Sequence, residues 1–305
     1  MLYFVRNIYS KTVVFLLIFS LVLTGIGYAA NKTPSHVNHT SKIWSRLIKR
    51  LIKDGENPKE IKSLFSSPLV HFYARALPIK ITHRERMVDY KKFLHPDRIK
   101  RAKKWMSRHK TILNWVYQSY GVPPSIQTSI LLVETDLGRH TGRKRTFNIL
   151  ASMAATKDLN SILPLLPKQY LRHADMKHLR WFARTKSNWA YNELKALIEY
   201  AKLNGLNPLK IKGSIFGAIG ICQFMPSNAL EFGVDENGDG KVDLFNLDDA
   251  LASMANYLRH YGWNQGINEK EKFNVILHYN YSRPYAETIL RLAHILKSKD
   301  TRAKQ

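Results

Sequence analysis

A single cysteine, Cys222, is present in the chain of 305 residues. One thiol excludes an internal disulfide and any zinc cluster built on cysteines. Acidic residues are also few: 23 Asp and Glu stand against 48 Lys and Arg, for a formal net charge of +25. A field of that sign favours a polyanionic partner, whether nucleic acid, an anionic membrane face or an acidic wall polymer, and does not choose among them. The histidines fall at no metal-binding spacing. Strand-like alternation is scarce, with 209–211 the best case, so the architecture is expected to be mainly helical. The composition, 45% hydrophobic and 23% charged, is that of a folded protein.

One long apolar run stands at the N-terminus. Arg6 and Lys11 precede an uncharged stretch over 12–30, and Gly27-Tyr28-Ala29 sets small residues where a signal peptidase reads them. The expectation is a signal peptide over 1–29, with an uncleaved signal anchor as the alternative. Either way the remainder is exported, which disfavours nucleic acid. Membrane contact would come only through an uncleaved anchor. No cysteine lies near the cleavage point to carry a lipid. Residues 30–42 read as a polar linker.

From Ile43 to Ile52 the apolar residues follow helical spacing with basic residues between them. The pattern predicts a helix that packs on the domain and ends at Asp54-Gly55, the alternative being a membrane-surface helix. A short helix is expected over 58–65, and irregular chain over 66–82 around Pro68 and Pro78. Residues 97–120 predict one long helix, opened by His95-Pro96-Asp97 and closed by Gly121. Pro123-Pro124 starts the next, which carries Ile126, Ile130 and Val133 and reaches Gly138. Further helices are expected at 188–204, 226–232, 248–261, 272–278 and 284–298.

Four segments carry chemistry. Glu134 sits beside the apolar stripe of its helix, where burial would favour the protonated carboxyl that a general acid needs; a solvated glutamate is the plain alternative. The loop 213–227 holds three glycines and Gln223, but it lacks the lysine of a phosphate loop. Gln223 is placed either to meet a sugar amide or to satisfy a tight turn. Asp235, Asn237, Asp239 and Asp243 occupy positions 1, 3, 5 and 9 of a calcium loop of the EF-hand kind, with Gly240 at 6. Lys241 would give its carbonyl, and Asn246 stands at position 12 where a glutamate is usual. An ordinary Asx-Gly turn is the alternative. Finally, Tyr279, Asn280, Tyr281 and Tyr285 suit either a carbohydrate face or a core with hydroxyls at its edge.

Taken in order, these segments resemble the membrane-bound lytic murein transglycosylase B family. The matching stretches are Tyr120-Gly121-Val122-Pro123-Pro124, Val133-Glu134-Thr135-Asp136-Leu137-Gly138, Gly213-Ser214 through Gln223-Phe224-Met225-Pro226-Ser227, the acidic loop, Ala255-Asn256-Tyr257-Leu258, and Tyr279-Asn280 with Ser282 and Tyr285. The resemblance implies a mainly α, lysozyme-like α+β fold, a helical goblet-type transglycosylase domain over 43–300. It includes a helical N-terminal part (43–96) and an EF-hand-like calcium loop (235–246).

It also implies a periplasmic enzyme acting on peptidoglycan glycan strands. The bond cleaved is the β-1,4 link between N-acetylmuramic acid and N-acetylglucosamine, and 1,6-anhydro products form without water. Glu134 would be the single acid/base, and Ser214, Gln223, Tyr257, Tyr279, Asn280 and Tyr285 would line the glycan cleft. A structural Ca2+ and no organic cofactor follow from the same likeness. Such chemistry fits a chain in which neither Asp136 nor Glu193 is compelling as the second carboxylate that a hydrolase needs. Family arginines that meet the stem peptide have no match within 157–186, where Arg184 or Lys186 are the candidates. The rival expectations are a muramidase on the same bond and a non-catalytic, calcium-stabilised wall-binding protein.

Overall fold

The computed structural model describes residues 36–83, 88–156 and 158–298, apart from the side chains of 36–43. The expected export signal and the start of the linker lie outside these residues. Helix α1 (His36–Lys53) begins within the stretch read as linker, and it buries Trp44, Leu47 and Leu51 as a packed helix does. Asn57 caps α2 (Pro58–Ser66), accepting the amides of Lys59 and Glu60. Phe65 of α2 then meets the ring of Trp44, with centroids 5.2 Å apart. No described helix is long and apolar enough to cross a membrane.

Two expectations fail in the next segment. Within 66–82 the chain forms α3 (Ala76–Thr82), burying Leu77 and Ile81 one turn apart. Pro78 is tolerated because it falls in the first turn, where an amide has no helical partner to lose. The long helix expected over 97–120 is two: α4 (Pro96–Arg108) and α5 (Lys110–Tyr120), parted at His109 with φ −103° and ψ 24°. Neither proline nor glycine marks this break. It follows from packing, since α4 lies against α6 (Pro124–Thr135) while α5 also follows α12 (Leu247–His260). Three residues short of the expected Gly138, α6 stops at Thr135.

The two strands β1 (Lys144–Arg145) and β2 (Lys212–Gly213) pair antiparallel, Lys144 opposite Gly213. Leu209 and Ile211, expected as strand, are core residues just before β2. After α7 (Thr146–Ala155) come the short turns α8 (Leu159–Ile162) and α9 (Lys168–Leu171). They lead into α10 (Met176–Leu203), which starts well before the expected 188. Asp175 caps it through the amide of Lys177. The buried residues Leu179, Ala183, Ser187 and Ala190 keep helical period beneath a charged outer face.

Long α10 is the spine: α7, α11 (Pro226–Phe232) and α3 pack along it. A capping box formed by Asn268 and Glu271 opens α13 (Glu269–Tyr279), and α14 (Arg283–Lys297) lies against α6. One continuous apolar core joins all of these helices.

Leu197 on α10 is fully buried. Leu197→Ala is expected to cost about 2–5 kcal/mol by leaving a cavity along the spine. The denaturant midpoint should fall accordingly, and an unchanged midpoint would mean that the spine is not where the core is anchored.

Candidate active site

Glu134 stands in the last turn of α6 and is 1% exposed. Its Oε1 accepts a hydrogen bond of 2.5 Å from the hydroxyl of Tyr285, in the first turn of α14. The Tyr285 ring lies edge-on to Tyr90, with centroids 6.1 Å apart. Burial, with the Glu134 carboxyl beside it, holds the Tyr285 hydroxyl far above its ordinary range, so it stays a neutral donor.

The helix ends on unusual backbone. Asp136 and Leu137 are both left-handed, at φ 52° and 65°, a conformation that costs a leucine energy. The amides of Asp136 and Leu137 return to the carbonyls of Leu132 and Leu131, closing the helix. Thr135 donates its hydroxyl to the carbonyl of Ile221 at 2.8 Å and so ties the glutamate's turn to the glycine-rich loop. In that loop Gly220 has φ +76°, and a Cβ there would lie 2.4 Å from Leu244 Cβ.

Most of the remaining cleft candidates are engaged in holding this frame. Tyr279 donates to the carbonyl of Cys222 at 2.5 Å, and Tyr257 donates to the carbonyl of His278 at 2.6 Å. Gln223, itself left-handed at φ 53°, donates to the carbonyls of Gly220 and Thr141. Ser214 Oγ accepts the amides of Phe216 and Ala218. Asn280 is different: it is buried, and its Nδ2 finds no hydrogen-bond partner among the described residues. A buried amide donor left unsatisfied is costly and is available to a ligand acceptor.

The acidic loop is folded on its own amides. Asp235 Oδ1 accepts from Gly238 and Asp239, and its Oδ2 accepts from Gly240. Asn237 takes the amide of Asp239, Asp239 that of Lys241, and Asp243 that of Phe245. Asn246, at position 12, caps α12 through the amide of Asp248. Buried Asp249 instead closes the loop, receiving the amides of Glu236, Asn237 and Asp243.

Among the described residues no three His, Cys, Asp or Glu side chains gather as a metal-holding set. The donors suit a hard cation in kind. They are all oxygens, and each carboxylate keeps lone pairs beyond those its amides occupy.

Residues 39–270 match the protein family described as the transglycosylase SLT domain. The chain belongs to this family. It is 34% identical over 176 residues to membrane-bound lytic murein transglycosylase B of Escherichia coli strain K12, an alignment that spans 58% of this chain and 42% of that protein. The fold matches E. coli lytic transglycosylase SLT35 in complex with calcium at TM-score 0.67 and 22% identity, over 83% of this chain and 92% of that one. It also matches Pseudomonas aeruginosa SltB3 in complex with NAG-anhNAM-pentapeptide at TM-score 0.67 and 20% identity, over 85% and 79%. The lysozyme-like, mainly helical class expected from the motifs is the class observed.

In this SLT domain the two other carboxylates weighed for catalysis are committed elsewhere. Asp136 is caged by Arg101 at 2.5 Å, Arg139 at 3.4 Å and Arg98 at 3.8 Å. Buried Glu193 of α10 caps the start of α11, taking the Ser227 amide at 3.0 Å and its hydroxyl at 2.8 Å. Sequence reading did not single out Tyr90, Thr135, or the cage arginines Arg98 and Arg101. Only Thr135 left a signal, as the neighbour of Glu134; the others come from segments remote in sequence.

Burial raises the Glu193 carboxyl above its usual range, while the Ser227 bonds pull it down. A folded-state value above the unfolded one favours folding at low pH, and that contribution is lost as pH rises through the folded value. Ser227→Ala removes a donor that serves the carboxylate. The loss of melting temperature should therefore be larger at about pH 7 than at about pH 4. A pH-independent loss would show that Glu193 is not ionised in the folded chain.

Proposed function

We propose that this chain is an exported lytic transglycosylase that cleaves the β-1,4 bond between N-acetylmuramic acid and N-acetylglucosamine, with Glu134 as its single acid/base. The observation that carries the reading is the buried Glu134 carboxyl met by a neutral phenol donor, in a family member whose other candidate carboxylates are already committed. In the first step the buried carboxyl passes a proton to the leaving glycosidic oxygen as the bond to C1 breaks. The Tyr285 hydrogen bond supports the anion that remains. That carboxylate then takes the proton of the sugar's C6 hydroxyl as O6 bonds to C1. The ring closes as a 1,6-anhydro product, Glu134 regains its proton, and no water is consumed. The anhydro sugar in the SltB3 complex is the kind of product this route yields.

Ser214, Gln223, Tyr257, Tyr279, Asn280 and Tyr285 are assigned to the glycan cleft. Asn280 brings an uncommitted donor, while Tyr279 and Gln223 brace the 220–223 turn that Thr135 ties to the end of α6. Calcium is assigned to Asp235, Asn237, Asp239, Asp243 and the Lys241 carbonyl, a reading supported by the donor chemistry and by the calcium in the SLT35 complex. When bound it would supply cross-linking of the loop and no catalytic step.

Two outcomes are expected. Purified protein acting on isolated peptidoglycan should release anhydro-muropeptides visible by mass spectrometry, and Glu134→Gln should abolish them. Reducing-end products would replace this mechanism with hydrolysis. Millimolar calcium should raise the melting temperature of the wild type, as binding to the folded state alone requires, and Asp239→Ala should remove that rise. An equal rise in both proteins would place the ion elsewhere.

A further inference from the structure

The N-terminal half of α10 presents a face that the reaction above does not use. Trp181 is 60% exposed there, although a ring of that size is ordinarily covered. It is braced by His178, whose ring lies 5.5 Å away, and His178 in turn stacks on Phe182 at 6.2 Å with 13° between planes. At i−4 and i+3 from Trp181 stand Lys177 and Arg184, both exposed, so two cations flank the indole on one helix face. Farther along the same ridge, Asn188 accepts from Arg50 of α1 at 3.3 Å, which adds a third cation.

The charge is lopsided throughout. Between 168 and 186 the chain has six Lys or Arg and one acid, Asp175. That acid is engaged in capping α10. The positive end of the α10 dipole adds to the same field.

A rigid, exposed indole between cationic side chains stacks on the face of a sugar ring while the guanidinium fork takes a carboxylate. An interfacial membrane helix needs a broad apolar face. Here the neighbours of Trp181 at i±3 and i±4 are Lys177, His178, Arg184 and Thr185, which leaves no such face.

We infer that Trp181, with Lys177 and Arg184, forms a second binding surface for carboxylate-bearing glycan, apart from Glu134, that holds the enzyme on its polymeric substrate. The inference rests on the proposed substrate class, and it places Arg184 beside Trp181 instead of at the stem-peptide contact for which the sequence offered it. Such a surface would let the enzyme stay on the polymer between cleavages, and it would be of no use on a short soluble fragment.

The test uses the full chain carrying Glu134→Gln, so that the polymer survives, co-sedimented with insoluble peptidoglycan. Adding Trp181→Ala should weaken binding about fivefold, Trp181→Phe should retain it, and binding should fall with salt. In the otherwise wild-type chain, Trp181→Ala should slow the clearing of insoluble polymer and leave turnover of short soluble muropeptides unchanged. Equal binding by the Ala variant overturns the inference. So does loss of binding to phosphatidylglycerol vesicles with polymer binding intact, which would make the face a membrane contact. If the wild type releases no cleavage products and Trp181→Ala still loses the polymer, the catalytic reading fails while this surface stands.

Discussion

The Tyr285 hydroxyl and the Glu134 carboxyl meet across the packed faces of α14 and α6, from positions 151 residues apart in the chain. A carboxyl with 1% exposure has almost no water to solvate it, so its partner must come from the protein. The partner arrives on the helix that closes the domain. α13 and α14 therefore bring more than bulk: their junction carries Tyr279, which meets the glycine-rich loop, and Tyr285, which meets Glu134. Tyr279 supports that loop at the Cys222 carbonyl and Thr135 grips it at the Ile221 carbonyl. The turn bearing Glu134 is thus clamped from two sides.

The scarcity of acid gives the few acidic residues definite structural positions. Asp136 gathers three arginines at the end of α6, Glu193 caps α11 from within the core, and Asp249 closes the 235–243 loop through three amides. Asp54 receives the Tyr191 hydroxyl, and Asp175 starts α10. These acids answer backbone amides, a phenol or specific cations, and most of the surplus positive charge is left on outer faces. One such face surrounds Trp181. In this molecule the net charge describes the surface, while the placement of the acids describes the fold.

The comparison of sequence with structure separates along physical lines. Helices whose ends carry their own chemistry stood where the sequence placed them: α2 after Asn57, α11 at Pro226, and α14 opened by Ser282 and Pro284. Expectations failed where the deciding contact was distant. The break at His109 comes from α4 and α5 following different partners. The short α3 forms because Leu77 and Ile81 meet a core assembled by other segments. The first turns of α10 escaped notice because their charged outer face obscures the period of Leu179, Ala183 and Ser187.

The sequence by itself determined the mainly helical class, the glutamate beside an apolar stripe, the acidic loop and the family, because these depend on residue type and local spacing. The tertiary structure alone decided that Tyr285 donates to Glu134. It likewise assigned Asp136 and Glu193 to arginines and a helix end, closed the acidic loop with Asp249, and left the Asn280 amide unsatisfied. Those outcomes depend on which helices dock. Docking is settled by burial summed over the whole core, which no local pattern reports.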